Sequence, residues 1–135
     1  MGDFYKNPEA CSGTRDGTST RQPINKNSDY RPLVYICSPY SDDPPGNTRK
    51  VIRYSRFAVD EGVIPLAPHL LLPLYIKEET ERELALSMDM AFLDCCQELW
   101  CFGRNMTKGM KAEVKRAREL GIRIRYFTEE CIEED

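Results

Sequence analysis

The chain has 135 residues, of which 41% are hydrophobic and 30% are charged, and its 19 basic and 22 acidic side chains give a net charge of −3. This balance indicates one globular domain and excludes fibrous or wholly disordered chains. The longest apolar stretches, around 63–72 and 88–93, are interrupted by Pro, His or Asp and are shorter than the roughly 20 residues of a membrane helix. The acidic charge argues against a nucleic-acid polymer as partner, because phosphates need a basic surface. A small molecule is the expected ligand.

The cysteines and the amino-terminal residues bear on the compartment. Residues 1–13 lack a basic patch followed by an apolar run, so no secretory signal is expected and the predicted compartment is the cytoplasm. The six cysteines lack Cys-x-x-Cys spacing and are expected to be reduced thiols. Cys95 and Cys96 lie on different sides of a predicted helix and Cys101 lies on a strand, so no metal site shared with His69 is expected.

The chain divides into three parts by composition. Residues 1–31 are rich in Gly, Ser, Thr, Asn and charged side chains without apolar periodicity, which predicts a flexible arm. Residues 32–128 alternate short apolar runs with helical patterns, which is typical of an α/β domain with a parallel sheet. Residues 129–135 form an acidic tail, expected to be a short helix or frayed.

Four strands and three helices are predicted in the domain. The strands are 33–37, 63–67, 99–102 and 122–127, with Pro65 weakening the second. The segment 41–46 is expected to be a loop, with Asn47 capping the first helix and Gly62 closing it. The inner face of that helix is predicted to carry Val51, Ile52, Ser55, Ala58 and Val59. The second helix is predicted to bury Leu84, Ala85, Met88, Ala91, Phe92 and Cys95, and the third, ended by Gly121, to bury Met110, Val114 and Ala117. Trp100, Phe102 and Cys37 are predicted core residues, while Tyr54 and Phe57 fit either the core or a dimer contact.

Two carboxylates stand among apolar positions of the predicted helices. Glu113 lies at the edge of the apolar stripe near the start of the third helix, where the helix dipole favours an ionised group. Asp89 has apolar neighbours around it on the second helix. Two such groups can serve as nucleophile and general acid if their pKa values differ. The alternatives are a capping or surface glutamate for Glu113 and a buried hydrogen bond or salt bridge for Asp89.

Further candidates follow the ends of the predicted strands. Ser38 and Tyr40 end the first strand, where α/β folds bind ligands, and Pro39 fixes the turn. His69, the one histidine, follows the second strand and is either a ligand contact or an ordinary loop residue. Residues 107–109 open the third helix, whose backbone N–H groups can hold an anion, although the spacing of a Walker loop is missing.

Together these segments resemble the nucleoside 2-deoxyribosyltransferase superfamily from about residue 33 to 127, and within it an uncharacterised bacterial and phage branch. The matching segments are Tyr-Ile-Cys-Ser-Pro-Tyr at 35–40, Pro-His at 68–69, Asp-Met-Ala-Phe-Leu at 89–93, Glu-Leu-Trp at 98–100 and Gly-Met-Lys-Ala-Glu at 109–113. The resemblance implies a flavodoxin-like three-layer α/β/α sandwich with a mainly parallel sheet of four to five strands. It also implies a homodimer or higher homo-oligomer.

The resemblance further implies cleavage of an N-glycosidic bond, or glycosyl transfer, on a nucleoside or nucleoside 5′-monophosphate, without a metal or other cofactor. Glu113 matches the nucleophile that attacks the anomeric carbon, and Asp89 matches the acid that protonates the leaving base. The substrate-binding residues implied or predicted beside them are Tyr35, Ser38, Pro39, Tyr40, Arg49, His69, Thr107, Gly109 and Met110.

The chain also departs from its relatives. Thr107 stands where the transferases carry an Asp, and it is closer to the Ser that contacts phosphate in the monophosphate hydrolases. The acidic loop 41–46 would repel a phosphate unless Arg49 or Lys108 compensates. The leucine-rich and acid-rich segment 70–83 is expected to be a lid or a subunit contact. A silent nucleotide-binding or sensing module, or an interaction protein that recruits a partner through residues 1–31, are the alternative functions.

Overall fold

The computed structural model describes residues 29–135, and within this range five strands form one sheet. The strands are β1 (Leu33–Cys37), β2 (Ile64–Leu66), β3 (Glu98–Phe102), β4 (Arg123–Phe127) and β5 (Glu133–Glu134). The α-helices are α1 (Pro44–Asp60), α2 (Arg82–Asp94) and α3 (Lys108–Leu120), and two short 3₁₀ turns, Pro68–Leu70 and Leu72–Leu74, precede α2. No helix in this range is long and apolar enough to cross a membrane.

The sheet has the strand order β2-β1-β3-β4-β5. The first four strands are parallel, and β5 pairs antiparallel with β4. Because parallel strands need crossover connections, α1, α2 and α3 lie against the sheet between successive strands. The predicted α/β fold with a mainly parallel sheet is confirmed.

The two faces of β1 contribute to different halves of the core. Val34 and Ile36 pack in one cluster with Val51 and Tyr54 of α1. Tyr35 and Cys37 point to the opposite face, because side chains alternate along a strand. There they pack with Leu93 of α2 and with the α3 residues Met110, Val114 and Ala117. Tyr35 and Cys37 are therefore held against the helix that carries Glu113.

Aromatic rings fill the core on the α1 side of the sheet. Tyr54 stacks on Phe102 with ring centroids 4.2 Å apart, and Phe57 meets Phe127 edge to face at 5.4 Å. Trp100 completes the group 5.0 Å from Phe127. Tyr54 and Phe57 are thus core residues, and the predicted burial of Trp100, Phe102 and Cys37 is confirmed.

The predicted start of α1 is wrong. The helix begins at Pro44 inside the segment expected to be a loop, because Asp43 is the N-cap and its side chain accepts a hydrogen bond from Gly46 N at 3.3 Å. Asn47 is buried in the helix and donates instead to Tyr40 O at 2.9 Å.

Several predicted inner positions are also wrong. The buried residues of α1 are Asn47, Val51, Tyr54 and Ala58. Ile52 and Val59 each follow a buried residue by one position, which is a rotation of about 100° around the helix, and they are exposed. In α2 the buried positions are Ala85 and Leu93, and Leu84 and Ala91 face outward.

The carboxyl-terminal tail is a strand rather than a helix or a frayed end. Thr128 N donates to Ile132 O at 2.8 Å and closes a turn that brings β5 back beside β4. Arg125 then donates to both carboxylate oxygens of Glu133, at 2.7 and 2.8 Å. The acidic composition of the tail is therefore matched by the arginines that alternate along β4. Residues 1–28 of the predicted flexible arm, 1–31, lie outside the described residues.

We expect Gly121→Ala to lower the free energy of unfolding by about 1 kcal/mol, because Gly121 ends α3 with a left-handed φ of +71° that a Cβ disfavours. Gly109→Ala is the matched control, since Gly109 lies inside α3 and a Cβ added there would meet nothing within 4 Å. Alanine there is expected to leave stability unchanged or raise it by less than about 1 kcal/mol. Urea unfolding measures both, and an equal loss in the two variants would contradict the assignment.

Candidate active site

Glu113 lies on the buried face of α3, where only 4% of its surface is exposed. Thr107 caps this helix by accepting a hydrogen bond from Met110 N at 3.2 Å. Met110, Val114 and Ala117 share the buried face at spacings of three and four residues, so Glu113 is carried against the sheet with them. The surface alternative for Glu113 is therefore excluded.

Two side chains of β1 bind the Glu113 carboxyl group. The Tyr35 hydroxyl donates to Oε2, and the Cys37 thiol donates to Oε1 at 3.4 Å. Tyr35 and Cys37 are two residues apart on one strand and therefore face the same side of the sheet. Each oxygen of Glu113 thus has its own donor.

These contacts oppose a strong effect of burial on ionisation. Burial raises the pKa of Glu113 to about 8, the hydrogen bond from Tyr35 lowers it, the charge of Asp89 raises it, and the thiol of Cys37 lowers it. The pKa of Tyr35 lies well above its ordinary value, chiefly through burial and then through the charges of Glu113 and Asp89. Tyr35 therefore remains a protonated donor.

Asp89 lies on α2 at the wall of a cavity of about 500 Å³. Its Oδ1 is buried and has no hydrogen-bond partner among residues 29–135. Burial, and then the charge of Glu78, raise the pKa of Asp89 to about 7. Since the charge of Asp89 also acts on Glu113, the two carboxyl groups titrate as neighbours in the same pH range.

A stacked pair of rings forms another part of the same cavity wall. Tyr40 and His69 lie with ring centroids 4.8 Å apart and planes inclined by 16°. His69 Nε2 is 3.0 Å from the Ser38 carbonyl oxygen, so this nitrogen carries the proton and donates. Burial lowers the pKa of His69, and the contact with Ser38 opposes this. The imidazole is therefore a neutral, fixed ring at neutral pH.

The segment from the second 3₁₀ turn to the first residue of α2 forms a further part of the cavity wall. Its contributing residues are Leu72, Pro73, Ile76, Lys77, Glu78, Glu79 and Arg82. They belong to the segment 70–83 expected to be a lid or a subunit contact, but none of them is among the predicted site residues. The available signal is a cluster of charged residues, 77–83, in the connection that leaves the carboxyl end of the second strand, where α/β folds bind ligands.

The other predicted residues are divided by the structure. Ser38, Pro39 and Thr107 border a second cavity of about 150 Å³, together with Lys50 and Asn47. Ser38 Oγ is buried there without a hydrogen-bond partner in the described range. Met110 is 1% exposed in the core, whereas Arg49 and Gly109 are exposed and border neither of these two cavities. Tyr35 and Glu113 also border neither, and their link to the larger cavity is the charge interaction with Asp89.

The thiols and the histidine do not converge on a common site. Residues 29–135 contain no group of three or more His, Cys, Asp or Glu side chains placed to hold a metal ion. The cysteines of this range are all in the thiol form rather than in disulfides, namely Cys37, Cys95, Cys96, Cys101 and Cys131.

We expect the stability of the protein to fall as the pH rises from about 5 to about 8. Glu113 and Asp89 have ordinary pKa values of 4.5 and 3.8 but values of about 8 and about 7 in the folded chain. The folded chain therefore binds more protons than the unfolded chain in this range. For each extra bound proton, the free energy of unfolding falls by roughly 1.4 kcal/mol for every unit by which the pH rises.

The variant Glu113→Gln removes one of these protons, so its stability should fall less steeply with pH in urea titrations. Glu119→Gln, an exposed change on the same helix, should follow the wild-type slope. A Glu113→Gln slope equal to the wild-type slope would show that the Glu113 pKa is not raised by folding.

One family model matches this chain. It covers residues 32–127, which include every strand from β1 to β4 and both carboxylates. Comparison with curated proteins finds no match to the chain. Because the match spans most of the sequence, the chain belongs to the family described as Domain of unknown function (DUF7768).

Proposed function

We propose that the protein cleaves an N-glycosidic bond, or transfers the glycosyl group, on a nucleoside or nucleoside 5′-monophosphate. The observation that carries the proposal is the pair of neighbouring carboxyl groups with raised pKa values, one in a cavity wall and the other held by two donors. Paired carboxyls whose ionisation is shifted by their surroundings are typical of glycosidic chemistry. The resemblance to the nucleoside 2-deoxyribosyltransferase superfamily supports the same assignment.

In the proposed reaction Glu113 is the nucleophile and Asp89 the general acid. The Glu113 carboxylate bonds to the anomeric carbon while the bond from that carbon to the base nitrogen breaks. The electron pair of that bond stays on the base, which receives the proton of Asp89. Water or a second base then attacks the anomeric carbon, gives its proton to Asp89 and releases Glu113. Proton and electron balance is complete without a metal or redox cofactor.

For Glu113 to act as nucleophile and Asp89 as general acid, Glu113 has to be ionised and Asp89 has to be protonated. In the free site the deeper burial of Glu113 gives it the higher pKa, about 8 against about 7. A sugar that develops positive charge beside Glu113 favours the ionised form of that residue and lowers its pKa. The donors Tyr35 and Cys37 act in the same direction. Substrate is therefore expected to move the proton to Asp89, whose Oδ1 has no donor in the described range.

The shape of the larger cavity supports a nucleoside-sized ligand. Its volume of about 500 Å³ falls within the usual range for small-molecule sites. The stacked rings of Tyr40 and His69 offer flat surfaces to a planar base. Lys77 and Arg82 add positive charge to the lining of the cavity. Glu78 and Glu79 lie beside them, so the wall is mixed in charge rather than specialised for phosphate.

The burial of Glu113 favours a second candidate, a nucleotide-binding or sensing module without turnover. Only 4% of Glu113 is exposed, and it borders neither of the two cavities. A carboxyl group with two donors and no open path to a ligand would serve to hold β1 and α3 together. In that case the larger cavity binds the ligand and Asp89 recognises it.

Release of free base decides between these two functions. We expect the wild type to release base from at least one member of a panel of ribo- and deoxyribonucleosides and their 5′-monophosphates, detected by chromatography. Glu113→Gln and Asp89→Asn should each lower the rate by at least about 100-fold, the size of a lost general acid. Glu119→Gln, exposed on the same helix, is the control and should retain the wild-type rate.

The contrary outcome is equally defined. Calorimetry measures whether a nucleotide binds saturably. If it does and no member of the panel releases base, the enzyme proposal is rejected in favour of the binding module. Base release that survives both Glu113→Gln and Asp89→Asn would reject the assigned pair.

The protein is proposed to be a homodimer or higher homo-oligomer. Leu74 and Tyr75 are 80% and 61% exposed, and Leu84 and Leu86 on α2 are also exposed. A contiguous exposed apolar patch is typical of subunit contacts, and Leu74 and Tyr75 are adjacent in the chain. We expect sedimentation to give a mass above that of the monomer, and Leu74→Lys with Tyr75→Lys to lower it. A wild-type monomer at micromolar concentration would reject the proposal.

The proposed compartment is the cytoplasm. Cys37 and Cys101 lie side by side in register on β1 and β3 and are unlinked, which fits a reducing environment. Fractionation of cells that produce the protein tests this, and recovery outside the cytoplasm would reject it.

A further inference from the structure

Cys37 makes a polar contact that its apolar surroundings do not require. It is the last residue of β1, is fully buried, and packs with Leu99, Met110 and Val114. A thiol in such a cluster usually behaves as a small apolar group. Here its sulfur lies 3.4 Å from Glu113 Oε1, in hydrogen-bonding geometry.

The thiol gives the second oxygen of the Glu113 carboxyl group a hydrogen-bond donor. The Tyr35 hydroxyl donates to Oε2, and the Cys37 thiol donates to Oε1. A buried carboxylate costs free energy unless its oxygens accept hydrogen bonds. The substitution Cys37→Ala removes the buried sulfur and leaves Oε1 without this donor.

The thiol keeps its proton and so remains a donor. The pKa of Cys37 is raised well above the ordinary value, first by hydrogen bonding with Cys101, then by burial and by the charge of Glu113. Cys101 lies directly beside it in register on β3, and its own thiol contacts Met106 Sδ at 3.5 Å. Cys101 therefore packs beside Cys37 within the sheet.

We propose that Cys37 is a positioning residue, whose thiol fixes Oε1 of Glu113 and, with the hydroxyl of Tyr35 on Oε2, favours the ionised carboxylate that attacks the sugar. The catalytic part of this inference rests on the proposed function. The hydrogen bond itself does not, because it acts on the ionisation of Glu113 whether or not a substrate is turned over.

The test is the titration of Glu113 followed by ¹³C NMR of its carboxyl carbon in the full chain. In Cys37→Ala we expect the midpoint to rise by about one pH unit, because the carboxylate loses one of two donors. Cys37→Ser keeps a donor and should restore the wild-type midpoint. Cys96→Ala is the matched control, since Cys96 is an equally buried thiol of the same cluster that donates to Phe92 O at 3.3 Å, away from Glu113.

A midpoint that is unchanged in Cys37→Ala would overturn the inference. An equal rise in Cys37→Ala and Cys96→Ala would also overturn it, since it would show only a loosened core. Should Cys37→Ala fail to fold, the pair of wild type and Cys37→Ser still decides. A serine midpoint about one pH unit above the wild type would then mean that the sulfur acts by filling space.

Base release separates this inference from the proposed function. At pH values below the Glu113 midpoint, raising that midpoint by one pH unit lowers the ionised fraction of Glu113 in the free enzyme about tenfold. Cys37→Ala should therefore lower kcat/KM about tenfold near pH 6. The loss should shrink to about twofold near pH 9 and vanish above about pH 10, and Cys37→Ser should recover the rate. Absence of base release by the wild type would reject the proposed function alone, whereas a tenfold loss that is independent of pH would reject the role of Cys37.

Discussion

The burial of one carboxyl group between β1 and α3 is the constraint around which the site is arranged. A carboxylate removed from water is stable only if its oxygens accept hydrogen bonds or if it takes up a proton. Glu113 meets both conditions in part, with Tyr35 and Cys37 as donors and a pKa raised to about 8. The register of β1 supplies these donors, because residues two apart on a strand share one face. The packing of β1 on α3 and the proposed function therefore depend on the same few side chains.

Periodicity alone predicts the architecture well and the helix boundaries less well. The run Leu33–Cys37 and the alternation of apolar runs with helical patterns are enough for a parallel α/β sheet, because burial on both faces requires such runs. The start of α1 is predicted wrongly because two prolines and an acidic pair are typical of a loop. In the structure Asp43 caps the helix and the two prolines lie in its first turn. The strand β5 is not predicted either. Its pairing with β4 is supported by a contact between Arg125 and Glu133, which are eight residues apart in the chain.

The candidate site divides in the same way. The inward positions of Glu113 and Asp89 follow from helical spacing. The role of Cys37 does not, because a cysteine inside an apolar strand looks like any core residue until its neighbour across the sheet and helix is known. The wall formed by Ile76, Lys77, Glu78 and Glu79 depends on how an irregular segment folds back towards α2, which no short sequence period encodes.

The two edges of the sheet limit how copies of the chain can associate. At one edge β2 is three residues long and carries Pro65, which has no N–H to offer a neighbouring strand. At the other edge β5 is two residues long, with glutamates that form ion pairs to Arg104 and Arg125. Short, charged or proline-bearing borders suppress the addition of further strands. Continuous ribbons grown by backbone pairing are thereby disfavoured, and among residues 29–135 the helical and loop surfaces are favoured for contacts between copies.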